Sequence, residues 1–175
     1  TRFLSKQFAE ETALVLAWQG IKVLLTSGIS STPQVSYHTK QKNASLGIVI
    51  TASHNPAVYN GYKVKANYGG PAKPEDISEL EEELKKIGNK SPKYKIKTLN
   101  EYLKLGQIKY FDAKESYFRY MKKKIDFDAI NKAGFKILYD PMYGAGIDSI
   151  KYLIPEAHEI HGTYNPSFGE IDHPE

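Results

Sequence analysis

Ser53, His54 and Asn55 stand together in the stretch TASHNP at 51–56, directly after the apolar run Leu46, Gly47, Ile48, Val49 and Ile50. Lys63 follows in NGYK at 60–63. A serine hydroxyl can act as a nucleophile, an imidazole can carry a proton, an amide can donate and accept, and an ammonium is a compact positive charge. Two readings fit that set. In the first, the stretch is a plain turn: Thr51, Ser53 and Asn55 bond locally to backbone, and Pro56 prevents the strand from continuing. In the second, Ser53 is a nucleophile. A hydrolase elbow does not fit, because the serine lacks the glycines of G-x-S-x-G and no second feature selects an Asp and a His as triad partners. Covalent carriage of a phosphoryl group is the other nucleophilic chemistry. It requires cations or a metal to neutralise charge, and a proton donor and acceptor near the substrate hydroxyl. His54 and Lys63 are the candidates for those roles.

The elements that must hold these residues follow from periodicity and punctuation. Residues 46–51 form a continuous apolar run of strand length, which predicts a strand buried on both faces. In open α/β sheets ligands collect at the carboxyl ends of strands, and Ser53 falls there. Residues 62–66 predict the next strand, which returns Lys63 toward the same end of the sheet after the Asn60-Gly61 turn. Upstream, 6–19 predicts a helix with Ser5 as N-cap, Gly20 just past its end, and Phe8, Thr12, Val15 and Leu16 on one face. A strand over 21–25, a turn over 26–32 and a helix over 33–42 opened by Pro33 come next. Downstream, Ile77, Leu80, Leu84 and Ile87 recur at helical spacing over 74–87, with a solvated acidic face and Gly88 closing the end.

Residues 89–97 are rich in Lys and Pro and lack a period, so an interdomain connection is expected between 89 and 107. The pattern then restarts. Asp112 is expected to cap a helix carrying Tyr117, Phe118, Tyr120, Met121 and Ile125, whose aromatics serve packing rather than base stacking. A buried strand over 135–139, a glycine loop over 140–146, a helix over 147–153, a strand near 157–161 and an irregular segment at 165–169 complete the chain. Alternating helices and strands make it an α/β protein. Gly144-Ala145-Gly146 lacks the third glycine of a dinucleotide loop, since Ser149 stands there, and is expected to be a close-packed turn.

The totals narrow the classes. The 175 residues include no Cys, which excludes disulfides, thiolate metal sites and cysteine nucleophiles. No apolar stretch approaches the roughly 18 residues of a membrane span, so a soluble, cytoplasmic protein without a membrane partner is expected. The net charge of +4 comes from lysines spread along the chain, Lys122, Lys123 and Lys124 among them. Solvated faces, not a nucleic-acid surface, are the expectation, and a mild positive field favours a phosphorylated metabolite. Thr1 opens the chain without an initiator Met or a preceding strand, and both ends are expected to be cut.

The segment GIVITASHNPAVYNGYK at 47–63 resembles the active-site segment of the α-D-phosphohexomutases, the family of phosphoglucomutase, phosphomannomutase and phosphoglucosamine mutase. TRFLS at 1–5 resembles that family's D-T-R-x-S, and Thr32-Pro33 its T-P. YDPMYGAG at 139–146 and NPSFGEIDHPE at 165–175 resemble the opening of its second domain. The resemblance implies a mixed sheet sandwiched by helices. Domain I, lacking its first strand, would cover 1–100 with the phosphoserine loop, and the beginning of a similar domain II would cover 101–175.

It further implies that Ser53 is phosphorylated and exchanges its phosphoryl group with a hexose phosphate through a bisphosphorylated intermediate. Hexose 1-phosphate and 6-phosphate, of glucose and/or mannose, thereby interconvert. Lys63 is implied as general acid/base and substrate contact, His54 as a catalytic support, and Asn55 as a substrate contact. Mg²⁺ would be held through an oxygen of the phosphate on Ser53 together with aspartates of a D-G-D-x-D-R loop, with glucose 1,6-bisphosphate as activator. That metal loop, the sugar-reading loop, the phosphate clamp and the arginine of the first strand are not found in residues 1–175, so little turnover is expected from this piece alone. Asp140, Asp148 and Asp172 lack the alternate spacing of the metal loop and are not taken as ligands. The alternative is a non-catalytic sugar-phosphate binding or regulatory module that retains the serine loop.

Overall fold

In the computed structural model, which describes residues 1–88, 95–169 and 171, the first element is the helix α1, Ser5–Trp18. Leu4 occupies its N-cap position at φ 58° without a side-chain cap. Ser5, expected there, is instead the first helical residue, and its hydroxyl is engaged elsewhere, accepting from Asn60 Nδ2 at 3.0 Å. Gly20 follows the helix at φ 84°, the left-handed conformation that favours glycine. The buried stripe is Ala13 and Ala17, whereas Phe8 and Val15, expected on the covered face, are exposed.

β1 (Val23–Thr26) leads to α2 (Thr32–Gln41), which opens on a capping box between Ser31 and Gln34 with Pro33 in its first turn. β2 (Leu46–Ile50) and β3 (Tyr62–Ala66) precede α3, Pro74–Ile87, which ends at Gly88 with φ 59°. Leu80, Leu84 and Ile87 of α3 are exposed. Then come α4 (Leu99–Lys104), β4 (Ile108–Phe111), α5 (Lys114–Lys122), α6 (Phe127–Lys132), β5 (Leu138–Tyr139), α7 (Ser149–Leu153) and β6 (His158–Glu159). Of these, α4, β4 and α6 were not anticipated. Ala113, not Asp112, occupies the N-cap of α5; Asp112 stands one residue earlier and accepts from the Lys114 amide at 2.7 Å. Residues 89–94 of the Lys- and Pro-rich stretch, and Asp172, lie outside the described residues.

The strands form three two-stranded sheets rather than one mixed sheet: β1 with β4 in parallel, β2 with β3 antiparallel, and β5 with β6 in parallel. α1 packs against both β1 and β2, but those two strands do not pair with each other, which divides the sheet. The β2/β3 hairpin is nonetheless sandwiched. α1 packs on β2 from one side, while Gly47 lies so close to Thr39 of α2 on the other that a Cβ there would collide with its hydroxyl. Burial along β2 alternates, with Gly47 and Val49 covered, Ile48 and Ile50 half-buried and Leu46 46% exposed, so one face is closed and the other only partly covered. The strand expected to be buried over 135–139 is reduced to β5. Its single partner β6 leaves Leu138 63% exposed, and Phe135 stands outside the strand at 73%.

The best enclosed cluster sits beneath α1, where Ala13 and Ala17 meet Tyr102 and Ile108, with Trp18 and Val23 packed around them. β4 therefore completes the core begun by α1 and β1. A second contact region joins α2 to α5. Tyr37 packs against Tyr117 and Tyr120, and the Phe118 ring stacks on Tyr152, so the aromatics of α5 do serve packing.

His38 is buried at this second region. Its Nε2 donates to the Ala113 carbonyl at 2.9 Å, and the rings of Tyr37 and Phe111 meet it edge-on. Burial holds its pKa below the usual imidazole value; the bond to Ala113 opposes that effect, Lys42 adds to it, and Asp112 opposes it. A histidine that resists protonation in the fold binds fewer protons there than in the unfolded chain. Its contribution to stability is therefore present above about pH 6.5 and is lost as pH falls from that value toward the folded pKa. Urea midpoints should drop between about pH 7.5 and about pH 5.5, and His38→Gln, which keeps the donor to Ala113, should flatten the drop. An unchanged slope in that variant would assign the titration to other groups.

Candidate active site

β2 extends one ladder step beyond Ile50, because the Thr51 amide donates to the Gly61 carbonyl at 2.9 Å. Ala52 is buried, and the chain then turns outward at Ser53, which is exposed and left-handed at φ 55°. For a residue with a Cβ that conformation costs about 1–2 kcal/mol, so the surroundings must enforce it. Local turn bonds are present: the Ser53 amide donates to Thr51 Oγ1 at 3.2 Å, and the Asn55 amide to the Ala52 carbonyl at 3.1 Å. These are the bonds a plain turn would make, yet they leave the Ser53 hydroxyl facing solvent. His54 Nδ1 lies 3.5 Å from Ser53 Oγ, at the outer limit of a hydrogen bond. His54 and Asn55 are exposed in the same turn.

Lys63 lies on β3 directly opposite Val49, four residues before Ser53 in the ladder, and is exposed. Ser53, His54 and Asn55 are thus brought together, while Lys63 sits down the hairpin from them without a bond to Ser53 among the described residues.

Arg2 was missed in the sequence. Arg2 is only 4% exposed, and its guanidinium reaches four carbonyls of the serine loop: Ser53 at 2.7 Å, Asn55 at 2.6 Å, Pro56 at 3.0 Å and Tyr59 at 2.8 Å. Asn60 ties the far end of the loop to the same N-terminal segment, donating to the Phe3 carbonyl at 2.9 Å and to Ser5 Oγ. The signal for Arg2 was nonlocal: it lies 51 residues from Ser53, and only the TRFLS resemblance pointed toward it.

Asp140 and Asp148, the two described aspartates not taken as metal ligands, are engaged in local bonds. Asp140 Oδ2 meets His161 Nδ1 at 2.9 Å and its Oδ1 accepts from the Met142 amide, while Asp148 pairs with Lys151 at 3.1 Å. Among the described residues no three His, Asp or Glu side chains converge as a metal site would require. The described residues therefore do not form a full Mg²⁺ ligand set. The Gly144 to Gly146 turn is close-packed, for a Cβ at Gly146 would collide with the Tyr139 hydroxyl.

These features define an α/β protein that presents an exposed serine at the carboxyl end of a strand, on a turn tied from behind by a buried arginine. The family model for phosphoglucomutase/phosphomannomutase, alpha/beta/alpha domain I, matches residues 1–91, and the chain belongs to that family. It is 33% identical over 159 residues to a phosphoglucomutase of Staphylococcus saprophyticus, covering 89% of this chain and 28% of that relative. Against a phosphoglucosamine mutase of Finegoldia magna the identity is 35% over 119 residues, covering 67% of this chain and 24% of the other. A crystal structure from Thermus thermophilus, assigned as a phosphomannomutase, superimposes with a TM-score of 0.81 at 28% identity, covering 95% of this chain and 37% of that one. The chain spans about a quarter to a third of the length of the relatives it matches. No helix among the described residues is long and apolar enough to cross a membrane.

Proposed function

We propose that this chain is the serine-bearing part of a cytoplasmic phosphohexomutase that interconverts hexose 1-phosphate and hexose 6-phosphate, of glucose and/or mannose. The observation that carries the proposal is the placement of Ser53: solvent-facing, left-handed, and at the carboxyl end of β2. In the step proposed, Ser53 Oγ attacks the phosphorus of a sugar bisphosphate. The Oγ–P bond forms as the sugar O–P bond breaks, the serine proton passes to a base, and the departing sugar oxygen receives a proton. His54, within 3.5 Å, orients the attacking hydroxyl. Lys63 exchanges the proton with the sugar hydroxyl, and Asn55 contacts the substrate. Mg²⁺, when bound, would neutralise charge on the transferring group, with its remaining ligands drawn from outside the described residues. The serine loop lies in a first unit and the start of a second unit follows. The boundary is placed near residue 100, and the parallel pairing of β4 with β1 ties 108–111 to the first unit.

Loading of the serine is a half-reaction that can be read separately from sugar turnover, and it is tested in the full-length parent, which supplies the remaining Mg²⁺ ligands. Incubation with glucose 1,6-bisphosphate should add one phosphoryl group to the peptide containing Ser53, as read by peptide mapping and mass spectrometry. Lys63→Gln should slow that loading about 10²–10⁴-fold, the usual share of a positioned acid or base. Binding of glucose 6-phosphate with no loading of Ser53 would favour the non-catalytic sugar-phosphate module instead.

A further inference from the structure

We propose that Arg2 is a positioning residue that fixes the Ser53 loop for phosphoryl transfer, and that Phe168, from the far end of the chain, holds its guanidinium in place. The transfer half of this inference rests on the function proposed above; the clamp itself does not.

A guanidinium carries five N–H donors in one rigid planar fork. Here one of its nitrogens serves the Ser53 and Asn55 carbonyls and the other serves Pro56 and Tyr59. A single side chain thus gathers carbonyls from both arms of the turn, in a stretch that has left the β2/β3 ladder. Removing it would leave the Ser53, Asn55 and Tyr59 carbonyls without a donor among the described residues, which is costly where water is excluded, while the Pro56 carbonyl would keep the Tyr59 amide at 3.0 Å. In a trans peptide the N–H points opposite the C=O, and no cis peptide occurs among the described residues. Turning the Ser53 carbonyl toward Arg2 therefore directs the His54 amide away from the guanidinium. It also anchors the peptide that follows the left-handed Ser53.

The guanidinium is covered by Phe168, whose ring centroid lies 5.1 Å from Arg2 Cζ and which is itself 2% exposed. Cation–π attraction strengthens when both partners are desolvated. The loop that delivers this ring is braced: the Phe168 amide donates to the Asn165 carbonyl at 3.1 Å, and Phe168 and Gly169 are both left-handed, at φ 61° and 60°. Gly169 lies against the Tyr143 ring, which also packs on His161. Contacts thus run from His161 and Tyr143 to Gly169, and through its neighbour Phe168 to Arg2 and the serine turn.

The test compares wild type with Arg2→Lys, Arg2→Gln and Phe168→Leu by two readouts: amide hydrogen exchange over 53–60 in the 175-residue chain, and loading of Ser53 from glucose 1,6-bisphosphate in the full-length parent that supplies the remaining Mg²⁺ ligands. Arg2→Lys keeps the charge and loses the fork. It should speed exchange in the loop by about tenfold or more, leave exchange in α1 and β1 unchanged, and slow loading by about tenfold or more. Phe168→Leu leaves no carbonyl unpaired and should produce a smaller shift in the same direction in both readouts. Wild-type behaviour of Arg2→Lys in both would overturn the inference. So would acceleration spread evenly over the whole chain, including in the milder Phe168→Leu variant, because that marks a general loss of stability. If the wild type itself does not load, the transfer reading of Ser53 fails and takes the transfer half with it, while loop exchange still decides the clamp.

Discussion

Chains carrying Ser53→Ala or Ser53→Gly are expected to take up no phosphoryl group from glucose 1,6-bisphosphate, and the glycine variant is expected to be the more stable of the two. Both substitutions delete the only proposed nucleophile, so incorporation should fall to background rather than slow by a finite factor. Their stabilities differ for a separate reason. Position 53 holds a left-handed backbone at φ 55°, a conformation glycine adopts freely and alanine resists by about 1–2 kcal/mol. Glycine loses some of that advantage through the greater freedom of its unfolded chain, leaving about 1 kcal/mol in its favour. Urea denaturation of the two variants reads this difference directly. Equal stabilities would mean that residue 53 is not held left-handed in solution. Persistent loading elsewhere in the alanine variant would move the chemistry to another side chain.

The second large effect is expected at Ile108. It is fully enclosed, at 0% exposure, among Ala13, Ala17 and Tyr102. Truncation to alanine removes three heavy atoms from a site lined by α1 and α4, where neither helix can collapse without breaking its other contacts. A cost of about 3 kcal/mol follows, within the usual range for buried Ile to Ala changes and a large share of a typical domain's 5–15 kcal/mol. Leu105, which is exposed beside the same helix, is the control, and Leu105→Ala should shift stability by less than about 0.5 kcal/mol. A small effect at Ile108 would show that β4 does not close this core.

What could be seen in the sequence was what local chemistry dictates. α3 is found over the residues expected because a proline at its start, a glycine at its end and evenly spaced Ile and Leu all agree. The turn after β2 is likewise written in adjacent residues, which is why Ser53, His54 and Asn55 fall together. The misses share a nonlocal origin. β4 is short, and its identity depends on pairing with a strand far earlier in the chain. Arg2 shows nothing in its own neighbourhood that marks it as a clamp. The shrinkage of the strand expected over 135–139 reflects how few neighbours cover it rather than its apolar composition. α4 is different, since Thr98 and Glu101 form a capping box visible in the sequence, and the Lys- and Pro-rich residues before it drew the weight instead.

The parallel pairing of β1 with β4 also sets a schedule for synthesis. Val23 leaves the ribosome ~85 residues before its ladder partner Ile108, an interval of roughly 4–17 s at ordinary elongation rates. Throughout that interval Ala13 and Ala17 of α1 lack the Tyr102 and Ile108 side chains that finally cover them. A piece ending at residue 91, where the family match stops, would hold that immature state permanently, since it would lack both Tyr102 and Ile108.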